Sequence, residues 1–116
     1  MDIQFKNPRL GKICCIYEYA IGHSDLGENL ARKLQKRIKE LRAFETLEDI
    51  PPTPPFRRHK LKHNRKGQYT VDVDKKSGFR IIFEPNDNPL PRTERGEIDI
   101  SRITSILVIE VENYHD

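Results

Sequence analysis

Leu26, Leu30, Leu34, Ile38, Leu41 and Phe44 recur at intervals of three and four residues, which puts all six on one face of a helix. Arg32, Lys33, Lys36, Arg37 and Lys39 fall outside that face. A helix with a single apolar stripe needs a second layer to cover it, and the rest of the chain has to supply that layer. Ser24 or Asp25 can start the helix, and Asp25 with Glu28 has the spacing of a capping box. Upstream, Leu10, Ile13, Cys14, Tyr17, Ala20 and Ile21 follow the same period behind Pro8, a residue tolerated in a first helical turn, with Gly22 as the stop. The short connection from Gly22 to Ser24 then predicts two antiparallel helices forming a hairpin.

Alternating segments provide the cover. Ile3 and Phe5 alternate with polar neighbours ahead of Asn7-Pro8 and predict a short first strand. Residues 68–74 alternate Tyr69, Val71 and Val73 with Thr70, Asp72 and Asp74, the pattern of a half-buried strand. Lys75-Lys76-Ser77-Gly78 reads as a hairpin turn, leading to a strand with Phe79, Ile81 and Phe83 on one face and Arg80 and Ile82 on the other. Residues 105–112 are apolar on both parities at first, as a central strand is. Pro51-Pro52-Thr53-Pro54-Pro55 predicts a stiff, polyproline-like connector. The Pro-, Asn- and acid-rich run 85–102 is too long for a tight hairpin and predicts a surface insertion. The expected fold is α+β, in the order β-α-α-β-β-β: an N-terminal strand and a helical hairpin packed on a small, mainly antiparallel sheet. At 116 residues this is expected to be one domain, 1–116, with a single modest core.

Charge points to the partner. The net charge of +3 conceals strong clustering, since residues 57–69 hold six cations and two imidazoles with no carboxylate. Arg57, Arg58, Lys60, Lys62, Arg65 and Lys66 thus form a basic strip leading into a strand, an arrangement suited to a polyanion such as RNA. A second cluster, six cations against one acid in residues 31–42, fits either an anionic partner or a solvated helix face. Cys14 and Cys15 are adjacent and alone, so they offer no disulfide framework or repeated metal-ligand pair and read as reduced core thiols. No metal site or cofactor is expected. No apolar run approaches membrane-spanning length and no leader pattern opens the chain, so the expected compartment is the cytoplasm, with no membrane partner.

Metal-independent RNA cleavage needs a base to take the 2′-hydroxyl proton, cations for the phosphorane charge and an acid for the leaving 5′-oxygen. His59, His63 and His115 suit the proton transfers, while Lys62, Arg65 and Arg80 suit the charge. HExxH, paired CxxC, P-loop and GxSxG signatures are missing, which removes the usual supports for metal, nucleotide and serine chemistry. An arginine amid Ile81, Ile82 and Phe83 must either meet an acid, with Glu84 or Glu110 as the candidates, or present its head at a functional face.

The run His59 to Tyr69, then Phe79-Arg80-Ile81-Ile82-Phe83, then Tyr114-His115 resembles the HigB branch of the RelE/ParE toxin superfamily. The order of elements is also that family's, so the resemblance covers nearly the whole chain. It implies that His59, Lys62, Arg80, Tyr114 and His115 form a catalytic site, with Arg65 in the turn after the lysine. Arg57, Arg58, Lys60 and Lys66 extend the RNA- or ribosome-binding strip. The implied activity is that of a ribosome-dependent mRNA endoribonuclease, neutralised by a helix-turn-helix antitoxin of HigA-like type. Three features depart from the family pattern: His63 stands where glycine often follows the lysine, Asn113 stands where an acid often precedes Tyr-His, and the run 85–102 stands where many members have a short turn. Two other readings stay open: a non-catalytic ParE-like gyrase inhibitor, or an inactive homologue that only binds antitoxin or RNA.

Overall fold

The computed structural model describes residues 1–113. A five-stranded sheet of order β1-β5-β4-β3-β2 is built from β1 (Asp2–Phe5), β2 (His59–Lys60), β3 (Tyr69–Asp74), β4 (Phe79–Pro85) and β5 (Ser105–Asn113). Three of its pairings are antiparallel, and β1 joins β5 in parallel. The parallel pairing requires a crossover, which the helices α1 (Pro8–Cys15), α2 (Tyr17–His23) and α3 (Glu28–Ala43) begin. Ala31, Leu34, Ile38 and Leu41 of α3 are buried, and the helix packs on β3. With Val71, Ile81, Phe83, Ile106 and Val108 they make one core on one face of the sheet.

The expected first helix, 8–22, is two. Asn7 caps its start, accepting the Leu10 N–H at 2.9 Å, but Ile16 is extended, at φ −120° and ψ 107°. The kink loses little hydrogen bonding, because Ile16 N–H reaches Lys12 O at 2.9 Å and Ala20 N–H reaches Ile16 O at 3.0 Å. A β-branched residue has no strong helical preference to oppose the bend. Downstream the buried stripe narrows to Ala20; Tyr17 is half-buried under the Arg32 guanidinium, 4.8 Å from its ring centre, and Ile21 is exposed. The helical pair is therefore a three-helix layer. The expected capping box is also unused: α3 starts after Gly27 without a side-chain cap, and Ser24 Oγ instead accepts the Leu26 N–H at 3.2 Å.

The proline run bends. Arg57 N–H bonds Thr53 O at 2.9 Å, and the turn carries Phe56 into the core, edge-on to Phe44 with ring centres 5.3 Å apart. The chain then forms β2, a two-residue edge strand that alternation cannot announce, paired His59 to Thr70 and Lys60 to Tyr69. The expected half-burial of β3 is also exceeded, since Tyr69 through Val73 are all buried. The cause lies on the sheet's second face, where charged side chains from the basic segment reach across it.

The β3–β4 turn closes through Gly78 at φ +75°, a conformation glycine adopts without a Cβ clash. Hydrogen bonds from Lys33 and Ser77 hold the Asp74 carboxyl below the usual carboxylate range. Residues 86–104 form a folded excursion: Asp87 accepts the backbone N–H groups of Thr104 and Ser105, and Leu90, Ile98 and Ile100 lean on the core. Cys14 is fully buried, and burial followed by the neighbouring Cys15 pushes its thiol up to about 12, so it stays protonated.

Candidate functional site

Strand register sets two rows of side chains on the face away from the helices. One row runs Glu112, Arg80, Asp72 across β5, β4 and β3; the other runs Glu110, Ile82, Thr70, His59 across β5, β4, β3 and β2. Arg80 donates from Nε and Nη2 to Glu112 Oε1, at 3.2 and 2.8 Å. The Glu84 or Glu110 partner expected for it is thus replaced by Glu112. Arg57 reaches Asp72 at 3.0 Å. Arg65 bonds Gln68 at 3.0 Å and pairs with Glu110, so its side chain crosses the part of the sheet holding Thr70 and Ile82. Thr70 and Ile82, neighbours in that row, are both fully buried.

Beside these pairs lies an open groove of ≈ 760 Å³. Seven of the residues singled out from sequence line it: Arg57, His59, Lys60, Lys62, His63, Arg65 and Arg80. Asp72 and Lys75 join them. Lys60 and Lys62 are exposed and enter no ion pair among the described residues, so their charge is available to an incoming anion. Arg58 is elsewhere, its Nε on Ile50 O at 2.7 Å, where it ties the proline turn to the core. Lys66 lines a smaller cleft of ≈ 360 Å³ shared with Arg92, Glu97 and Ile98 of the excursion. Tyr114 and His115 lie outside the described residues.

His59 Nδ1 sits 2.9 Å from Arg57 O. A carbonyl only accepts, so Nδ1 carries the proton, and in the neutral ring the lone pair is left on Nε2. Among the described residues no group of three His, Cys, Asp or Glu side chains is placed to hold a metal ion.

His63 opens the turn after Lys62 with φ +59°, in the left-handed region. A side chain there costs about 1–2 kcal/mol against the steric clash of its Cβ. His63→Gly relieves that clash but loosens the unfolded chain, so a net gain of about 0.5–1 kcal/mol is expected, read as a higher urea midpoint.

The sequence does not mark Asp72 as part of this site, offers Glu110 only as a partner for Arg80, and gives Glu112 no partner. Their signal was weak, because each lies 15 to 45 residues from its arginine.

No family model and no curated protein sequence matches the chain. Among solved structures it is similar to the YoeB-YefM complex from Staphylococcus aureus, at 16% identity over 100% of this chain and 98% of that one, TM-score 0.52. A YoeB/ParE toxin from Agrobacterium tumefaciens aligns at 11% identity over 99% and 100%, TM-score 0.52. YafQ from E. coli strain BL21(DE3) aligns at 15% over 97% and 91%, TM-score 0.50. At such identities the likeness is one of fold, and the fold is that of the YoeB/ParE-type toxins.

Proposed function

We propose that this protein is the toxin of a type II toxin–antitoxin system, of HigB type, that cleaves mRNA on the ribosome. The observation that carries the reading is the groove itself: His59 and Lys62 from the basic segment and Arg80 from β4 line one open basic cleft on a toxin-type fold. In the reaction, His59 Nε2 takes the 2′-hydroxyl proton as that oxygen bonds the adjacent phosphorus. Lys62 and Arg80 face the charge that builds on the phosphorane oxygens. The bond to the 5′-oxygen breaks, and His115 returns a proton to the leaving oxygen, giving a 2′,3′-cyclic phosphate and a 5′-hydroxyl. Tyr114 stacks on or orients a base. Arg57, Lys60 and Arg65 grip neighbouring phosphates, with Arg58 and Lys66 as outer contacts on the ribosome. No metal or cofactor takes part.

Arg65 and Arg80 reach a phosphate only by exchanging it for a carboxylate, an even trade in charge and number of acceptors. The partner is a helix-turn-helix antitoxin of HigA-like type; a toxin-type neighbour, YoeB of S. aureus, is itself found with YefM. The compartment is the cytoplasm, a reading supported by there being no described helix long and apolar enough to cross a membrane.

The test is inducible expression of the intact protein and of Lys62→Ala, with growth and mRNA 5′-ends followed in the same cells. Growth arrest with new ends is expected, both lost in the variant, whose exposed site should leave the fold unchanged. Arrest with a DNA-damage response and no new ends would instead select gyrase inhibition. Ribosome-bound but intact mRNA would select a binding-only homologue.

A further inference from the structure

A second groove, of ≈ 370 Å³, lies between α3, the Thr53–Arg57 turn and the end of β3. It shares Arg57, Asp72 and Lys75 with the first, so the two form one continuous track. We infer that single-stranded RNA leaving the candidate site follows this track, its phosphates passing from Arg57 and Lys75 to Lys36 and Lys33 on α3. The inference rests on the reading of the first groove as an RNA site.

Charge favours the path. Five cations in the second groove face three carboxylates, Glu40, Asp72 and Asp74, and each of these carboxylates already holds a cation. Lys36 and Lys75 are exposed and enter no ion pair among the described residues. Lys33 holds Asp74 at 3.0 Å but remains 42% exposed, so a phosphate can share it. Arg37 is structural, committed to Glu40, to Val73 O and to the Phe56 ring. Pro54 and Pro55 form an uncharged wall opposite the lysines, against which sugar and base faces can lie. At the junction, Arg57 holds φ +48°, a costly conformation for a side-chain-bearing residue, and such strain gathers at ligand sites. That geometry turns its guanidinium to Asp72, between the two grooves.

The experiment uses 2′-O-methyl oligonucleotides, which lack the attacking hydroxyl and stay intact, in lengths of about 4 and about 16 nucleotides, a range typical of single-strand sites. Fluorescence anisotropy is read for the wild type, Lys36→Glu, Lys36→Ala and Lys62→Ala. The long oligonucleotide is expected to bind about tenfold more tightly than the short one. Lys36→Glu should remove that advantage, Lys36→Ala should reduce it, and the slope of log affinity against log salt should fall by about 0.7 per lost phosphate contact. Binding of the short oligonucleotide should be untouched by both changes and weakened by Lys62→Ala. A long oligonucleotide that gains nothing, or keeps its gain in Lys36→Glu, overturns the track while leaving the site standing. Indifference of both lengths to Lys62→Ala overturns the site and the track with it, and no binding at all overturns the track, leaving the ribosome-dependent site to the cleavage test. A gain that survives with single-stranded DNA supports the track equally, whereas competition by an acidic peptide without any RNA length effect replaces RNA with a protein partner.

Discussion

Arg80→Ala is expected to abolish mRNA cleavage and also to destabilise the fold. From the sequence alone the arginine either meets an acid or presents its head at a functional face, and only the second role would let it be removed without structural cost. Register shows that it meets an acid: the side chain, 12% exposed, lies between Asp72 on β3 and Glu112 on β5 and makes two bonds to Glu112. Its removal leaves Glu112 without that cation on a face that also carries Asp72 and Glu110. Breaking a fully buried pair costs about 3–5 kcal/mol, and with Glu112 one-third exposed the expectation here is about 1–3 kcal/mol. The loss of cleavage should be larger, about 10²–10³-fold for a group that stabilises transition-state charge. The double change Arg80→Ala with Glu112→Gln separates the two roles. It should recover most of the urea midpoint and none of the cleavage, while Arg80→Lys, which keeps charge without the two-pronged grip, should fall between. Wild-type cleavage by the double variant would reduce Arg80 to a structural residue.

That partner choice also marks where sequence reading stops. Alternation through Ile106 and Val108, both fully buried in the core, would send Glu110 and Glu112 into the core as well. The register shift between Ile82 and Phe83 inserts one extra residue in β5, so Phe83 faces Val108 while Ile82 faces Glu110. From there the parity is reversed, Val111 turns toward the core and both glutamates reach the open face. Nothing in the composition of 105–113 announces a bulge. The α3 stripe was legible because a 16-residue amphipathic period leaves few alternatives, and Leu34, Ile38 and Leu41 are buried as expected. The break at Ile16 was not, because apolar residues continue in helical period on both sides of it. β2 escaped for a different reason: His59 and Lys60 are a strand only by pairing with the edge of β3, without any apolar signal of their own. The basic strip was legible as charge. That two of its six cations, Arg57 and Arg65, would be paired to acids was not, because those pairs depend on the register and on the bulge.

Phe56→Ala is expected to cost about 3 kcal/mol, toward the lower end of the range for losing a phenylalanine from a core, since the ring is 8% exposed. For a domain whose total stability is about 5–15 kcal/mol, that is a large fraction. The ring meets Phe44 edge-on and carries the Arg37 guanidinium 4.7 Å above it, so truncation opens a cavity between α3 and the sheet and removes a cation's seat. The consequence reaches the candidate site through the backbone. Phe56 O accepts the Asp72 N–H at 2.7 Å, and the next residue, Arg57, reaches Asp72 with its side chain and His59 Nδ1 with its carbonyl. One buried ring therefore anchors the start of the basic segment and the carbonyl that sets the His59 tautomer. Phe56→Leu retains most of the buried volume and should lose about 1 kcal/mol with cleavage largely preserved. Phe56→Ala, examined at a temperature where it remains folded, should show a lower urea midpoint and a cleavage defect beyond any loss of folded protein. A variant with the expected drop in midpoint and full cleavage per folded molecule would show that the basic segment holds its place without the ring, through Arg58 on Ile50 O and the two residue pairs of β2.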